Sequence, residues 1–270
     1  MSLGFSVEAL LPSARVSGPL RMGLVRIAKT EWLQPSPDLV VRREHFDRYP
    51  ESVAILPEAE APGRELAAML GVEGGLEEAA RSVWEDLCIL TREAEGRPYR
   101  LTGAAVAFPT DWRLSDKMGH ALDTVHEPIH GYAEQLSETV DRFMNGMQPG
   151  VIFGRTNAFV IASDALRYTP PVDPAARFAH VTAENAGETL FIRCERETLR
   201  RLPETGAIVF TIGIYRAPLR SLSGRAVARI VNSIEGFGEG EAGRRAAPHY
   251  TQALVGYART RADAERRHAA

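Results

Sequence analysis

Three of the chain's seven histidines, His120, His126 and His130, lie in the stretch SDKMGHALDTVHEPIHGY (115–132). Imidazole is costly to bury without a partner, so the cluster raises the question of a metal. His126 and His130 are four residues apart and Glu127 follows the first, so HEPIH matches the H-E-x-x-H pattern of helical zinc hydrolases. That chemistry needs an unbroken helix to bring both rings to one face. Pro128 stands inside the turn, lacks an amide hydrogen and pushes Glu127 out of the helical region, which argues against zinc. Haem asks less of the sequence. One neutral imidazole against an apolar slot holds the iron, with cations for the propionates. Phe153, Phe159, Phe191, Ile208, Phe210 and Ile212 could line such a slot, and Arg155, Arg193, Arg196, Arg216 and Arg220 could supply the cations. The competing reading is plain: aromatics at strand spacing form a core, arginines on strands face water, and a histidine is hydrogen-bonded and inert. Residue types alone leave these readings open, with the inert histidine the simplest.

Other chemistries find less support. No G-x-S-x-G nucleophile elbow and no G-x-x-x-x-G-K-[ST] phosphate loop occurs, and GFGEG (236–240) carries acids where an anion site wants none. RTN (155–157) and RCERETLRRLP (193–203) are dense in charge beside strand-like runs. They are either a solvated edge of ion pairs, each contributing little, or a buried network that clamps an anion or a loop. Cys88 and Cys194 are too few for a disulfide framework or a thiolate cluster and read as small core residues in a reducing cytoplasm.

These groups must be positioned by the elements around them. Residues 1–62 are rich in proline and short on period, and read as an irregular arm anchored by Leu20, Leu24 and Trp32. WLQPSPDL and ILPEAEAPG look like loop punctuation. Helices are expected at 64–72 and 76–90, the second from the spacing of Leu76, Ala80, Val83, Leu87 and Leu90. YRLTGAAVAF (99–108) reads as a strand ending at PTDW. Ser115 is a candidate N-cap, Pro128 splits 117–130 into short pieces, and a helix over 131–145 carries the stripe Tyr132, Leu136, Val140 and Phe143. Strands are expected at 151–162, 188–196 and 206–216, then a helix at 224–234 capped by Ser223, and a last helix near 246–266. The order gives an α+β fold. An antiparallel sheet carries inserted helices on one face, with a pocket between them whose wall holds the histidines. The expected organisation is an arm at 1–62, a core at 63–235 and a helical extension at 236–270.

The formal charge of the 270 residues is -3, with acids and bases interspersed. No basic field points to nucleic acid, and no apolar run reaches the roughly 18–20 residues that span a bilayer. The N-terminal segment lacks the pattern of a signal peptide, so a cytoplasmic protein is expected.

LTGAAVAFPTDWRLSDKMGHALDTVHEPIHGY, then RTNAFV, then FIRCERETLRRLPETGAIVFTIGIYRAPL resembles the family of the haem-dependent oxidative N-demethylase α subunit. PLRMGLVRIAKTEWL near the start extends the likeness to about residues 18–235. The resemblance implies a PAS-like fold around a b-type haem, with no other cofactor on this chain. The family's K-x-G-x-x-L-x-x-I-H-x-P-V-P stretch aligns with KMGHALDTVHEPIH, which places the iron ligand at His126. His130 stands where the family more often has proline, and His120 at a variable position. The implied activity is oxygen-dependent removal of a methyl group from a small secondary amine, with formaldehyde released. Two cysteines cannot hold an iron–sulfur cluster, so electrons would come from a separate flavin or iron–sulfur partner subunit. Glu195, Glu197 and Tyr215 are the groups expected to meet a cationic amine. Arg155, Asn157, Arg193 and Arg196 match family motif positions and are expected at the propionates or in the pocket network. The alternatives are a haem or small-ligand sensor module on the same fold, and an assembly subunit without haem.

Overall fold

The structure, a computed structural model, describes residues 3–11, 20–171 and 173–269. Its strands are β1 (Val25–Ile27), β2 (Val53–Ile55), β3 (Asp86–Thr91), β4 (Arg100–Ala105), β5 (Ile152–Ile161), β6 (Phe191–Arg201) and β7 (Ile208–Pro218). They form one open sheet in the order β1-β5-β6-β7-β3-β4-β2. β1 is antiparallel to β5, β3 to both β4 and β7, and β2 to β4. The chain is therefore α+β, and the three late strands are neighbours in the sheet, β6 and β7 through the short link 202–207 and β5 and β6 across the longer segment 162–190. Two compact units divide it. The first takes in Met1–Gly4, Leu20–Arg155 and Arg196–Ile214; the second takes in Phe5–Pro19, Thr156–Glu195 and Tyr215–Ala270.

In the first unit two sequence expectations are corrected. The helix expected over 76–90 stops at Arg81, and 86–91 is β3. Leu87 through Leu90 are all buried, which the spacing of a one-sided helix cannot supply but a central strand can. The switch is enforced by Arg42 on the helix Leu39–Arg48. Its guanidinium donates to the carbonyls of Ala80 (2.6 Å), Trp84 (2.9 Å) and Glu85 (2.6 Å) and to Asp86 Oδ1 (2.9 Å), so those carbonyls are turned out of any helical ladder. Asp86 accepts in turn from the amides of Ala107 (2.8 Å) and Phe108 (3.1 Å). The second correction concerns 1–62, whose described residues hold β1, β2, the helices Val7–Leu10 and Leu39–Arg48 and the start of the helix Pro57–Met69. ILPEAEAPG is not a loop: the helix Pro57–Met69 begins with Pro57 at its first position, where no amide donor is needed. Ala59 and Leu66 of that helix are fully buried. The backbone at Gly103 of β4 lies so near that an added Cβ would stand 2.7 Å from the Ala59 methyl, so this glycine is required by close approach.

The inserted segment 114–147 covers the sheet with an apolar cluster. Leu114, Leu122, Met144 and Met147 pack with Tyr99, Leu101, Leu199 and Ile208, and Val125, Val140, Phe143, Phe153 and Phe210 border it. Phe143 meets Phe153 edge-on, centroids 4.9 Å apart. Arg201 fastens this layer by donating to the carbonyls of Met144 (2.5 Å), Met147 (2.8 Å) and Gly206 (2.5 Å) and to Tyr99 Oη (3.0 Å).

In the second unit, Ser223 caps the helix Gly224–Glu235 through Ala226 N (3.2 Å), and Val227, Ile230 and Ile234 are buried, as the sequence implied. The last helix is Thr251–Ala269. Both cysteines are buried, and burial pushes the Cys194 thiol up to about 12. Among the described residues no helix is long and apolar enough to cross a membrane.

The pair Arg42–Asp86 is fully buried, so removing one partner strands the other charge. Asp86→Ala is expected to cost about 3–5 kcal/mol in urea unfolding followed by circular dichroism. A loss under about 1 kcal/mol would contradict the role assigned to the pair.

Candidate functional site

The histidine stretch is laid onto the start of β4 by backbone pairing. Leu101 N donates to His120 O (3.0 Å), Gly119 N to Leu101 O (2.7 Å) and Leu122 N to Tyr99 O (3.2 Å). Arg100 Nε adds a bond to Gly119 O (2.8 Å). Gly119 sits at φ +77°, a left-handed turn that suits glycine and lets the chain fold back along the strand. His120 contributes its backbone to this pairing while its side chain is exposed. The expected cap at Ser115 is not formed: Leu114–Asp116 is a 3-10 turn, and Ser115 Oγ bonds Asp116 (3.0 Å).

From that anchor the short helix Leu122–Val125 delivers His126 as its C-cap residue. The chain leaves the helix there, ahead of Pro128, so His126 and His130 share no helical face, and His130 is exposed. Lys117 Nζ donates to Val125 O (2.6 Å) and holds the end of the turn. His126 is half-buried, and its Nδ1 lies 2.7 Å from Leu122 O. A carbonyl only accepts, so Nδ1 carries the proton and Nε2 keeps its lone pair. Burial pulls the imidazole down to about 4, assisted by the charges of Arg155 and Lys117 and opposed by the Leu122 bond. The ring is thus neutral at physiological pH. Gly131, at φ +76°, reverses the chain and returns Tyr132 to stack on His126, centroids 4.4 Å apart and planes 19° from parallel. Burial raises the Tyr132 phenol to about 12.

The remaining predicted residues fall into two groups. In the first unit Arg155 Nε donates to Glu197 Oε2 (2.6 Å) and Nη1 to Met22 O (3.3 Å). Glu197 is nearly buried, while about a third of Arg155 is exposed. Arg196 is fully buried and donates to the carbonyls of Gly4 (3.1 Å), Trp32 (3.0 Å) and Glu31, which ties the N-terminal segments to β6. In the second unit Asn157 donates to Glu195 (3.3 Å) and accepts from Arg245 (2.9 Å). Arg193 is fully buried and reaches Ala165 O (3.3 Å). Tyr215 is half-buried on β7. The charged residues Arg193, Glu195, Arg196 and Glu197 of β6 are therefore buried, not a solvated edge.

A family profile described as haem-dependent oxidative N-demethylase, alpha subunit-like, matches residues 69–255. The chain belongs to that family. No curated protein sequence matches it. The haem-dependent oxidative N-demethylase profile spans the histidine stretch and β4 through β7. For the cofactor in that description, His126 is a fitting donor: neutral, oriented through Nδ1, with Nε2 bonded to no protein group among the described residues. The Tyr132 ring stacks on it, and the Arg155 cation lies near enough to act on it.

Sequence reasoning missed the Leu122 carbonyl, Lys117, Tyr132 as a ring partner, and Arg245. The first had a signal, since residue 122 lies one helical turn before 126. Arg245 had none, because its link to Asn157 spans 88 residues. Its Glu241 partner is desolvated, which alone would raise it, yet Arg244 and Arg245 bring it down to about 2 from 4.5. A depressed carboxyl stabilises the fold above its unfolded value and loses that contribution as pH falls through the folded one. Glu241→Gln is thus expected to cost about 2 kcal/mol at pH 7. The gap from wild type should hold down to about pH 4.5 and close towards pH 2 in denaturant melts. A gap independent of pH would contradict the assignment.

Proposed function

We propose that the chain is the haem-carrying catalytic subunit of an oxidative N-demethylase, with a b-type haem held by His126 in a PAS-like core spanning residues 63–235. One observation carries the reading: a half-buried imidazole whose Nδ1–H is fixed on the Leu122 carbonyl, leaving Nε2 as a donor. Family membership supports the cofactor. His120 and His130 are exposed bystanders in this reading.

Bound haem supplies the oxygen chemistry; the chain supplies the ligand, the pocket and the substrate contacts. The overall reaction is (CH3)2NH + O2 + 2e− + 2H+ → CH3NH2 + HCHO + H2O for dimethylamine as the simplest secondary amine. The electrons come from a separate flavin or iron–sulfur partner. Arg155 is the cation proposed for a propionate, since part of it is exposed while its Nε holds Glu197. Glu197 is the carboxylate of the first unit proposed to face a cationic amine. Asn157, Arg193, Glu195 and Tyr215 are proposed as a supporting polar network in the second unit. Arg196 has a scaffolding role in this reading, because its donors go to backbone carbonyls.

Purified protein supplied with haemin should develop a Soret band. His126→Ala should abolish or radically change it, and His120→Ala should leave it nearly intact. Reduced, aerated holoprotein given dimethylamine should release formaldehyde. The opposite behaviour of the two histidine variants would overturn the ligand assignment. A normal Soret band with no formaldehyde from any small secondary amine, with a competent electron donor present, would favour a sensor module.

A further inference from the structure

We infer that Tyr132 is a positioning residue for His126: its ring, together with the Leu122 carbonyl, holds the imidazole in one tautomer and one plane. The inference rests on the reading of His126 as the iron ligand. A single hydrogen bond at Nδ1 fixes which nitrogen carries the proton, but the ring can still swing about that bond. A second restraint on the face of the ring removes the swing. Tyr132 supplies it, at 4.4 Å between centroids and 19° between planes.

The local chain is arranged for this contact. His126 O accepts from Ile129 N (2.8 Å), and Ile129 O accepts from Tyr132 N (3.0 Å), so two successive turns separate the rings. Between them Gly131 takes its left-handed conformation, and an added Cβ there would stand 2.5 Å from Gln135 Nε2. The Tyr132 ring is buried, and the phenol makes no hydrogen bond to a described residue, so the ring and not the hydroxyl carries the function. The acceptor at Nδ1 is a neutral carbonyl, and no carboxylate of a described residue bonds that nitrogen. A carboxylate there would draw the proton away and give the ligand imidazolate character; a carbonyl leaves it a neutral imidazole.

The test compares Tyr132→Phe and Tyr132→Leu with wild type, each loaded with haem. Electron paramagnetic resonance of the ferric form and haem affinity are the readouts. Wild type and Tyr132→Phe should give one ligand-field species and equal affinity. Tyr132→Leu should give a second or broadened species and bind haem roughly tenfold more weakly. Unchanged spectra and affinity in Tyr132→Leu would overturn the inference, as would failure of Tyr132→Phe to match wild type. If Tyr132→Leu does not fold, nitrogen-15 NMR of the haem-free wild type decides: a single Nδ1–H tautomer at His126 supports the inference, and an Nε2–H tautomer or a mixture overturns it. A Soret band that survives His126→Ala removes the underlying ligand assignment instead, so the two failures are distinguishable.

Discussion

The hydrogen bond between His126 Nδ1–H and the Leu122 carbonyl is the constraint on which the candidate site depends. Burial makes the ring neutral, and the bond chooses the tautomer and leaves Nε2 its lone pair. Leu122 can serve because its own amide is pinned to Tyr99 O at the start of β4. β4 is fixed by pairing with β3, and β3 is anchored where Arg42 and Asp86 meet beneath it. The imidazole is thus placed by a continuous series of backbone and buried charge contacts within one unit, not by the loop that carries it. Such support is what a ligating side chain requires, since a ring free to turn aims its lone pair nowhere in particular.

The buried arginines follow one logic. Arg42, Arg196 and Arg201 each send several N–H groups to backbone carbonyls at places where the chain leaves regular structure. A guanidinium presents its donors in a fixed fork, so one side chain can satisfy several stray carbonyls at once. Arg155 differs, pairing with a carboxylate on the next strand while keeping part of its surface open.

Much of this was legible in the sequence. The α+β class, the late strands and the Ser223 cap follow from period, turn chemistry and cap preference. The split at Pro128 is visible because proline removes a donor. The fate of 86–91 was hidden because its centre, Leu87–Leu90, is apolar without interruption, and a short apolar run reads as either helix or strand until its burial is known. The helix at Pro57 was hidden because proline marks loops and first helical turns alike. At the site, the sequence and its family likeness pointed to His126, but could not reveal which carbonyl would meet Nδ1 or that Tyr132 would stack on the ring. Both depend on the left-handed turns at Gly119 and Gly131, where glycine permits the conformation without announcing it.

The bond between His126 Nδ1–H and the Leu122 carbonyl can be tested in a crystal structure of the haem-loaded protein. Iron is expected on His126 Nε2, with Nδ1 still on the Leu122 carbonyl. Iron held by another side chain, or a His126 ring turned so that Nε2 faces Leu122, would contradict it.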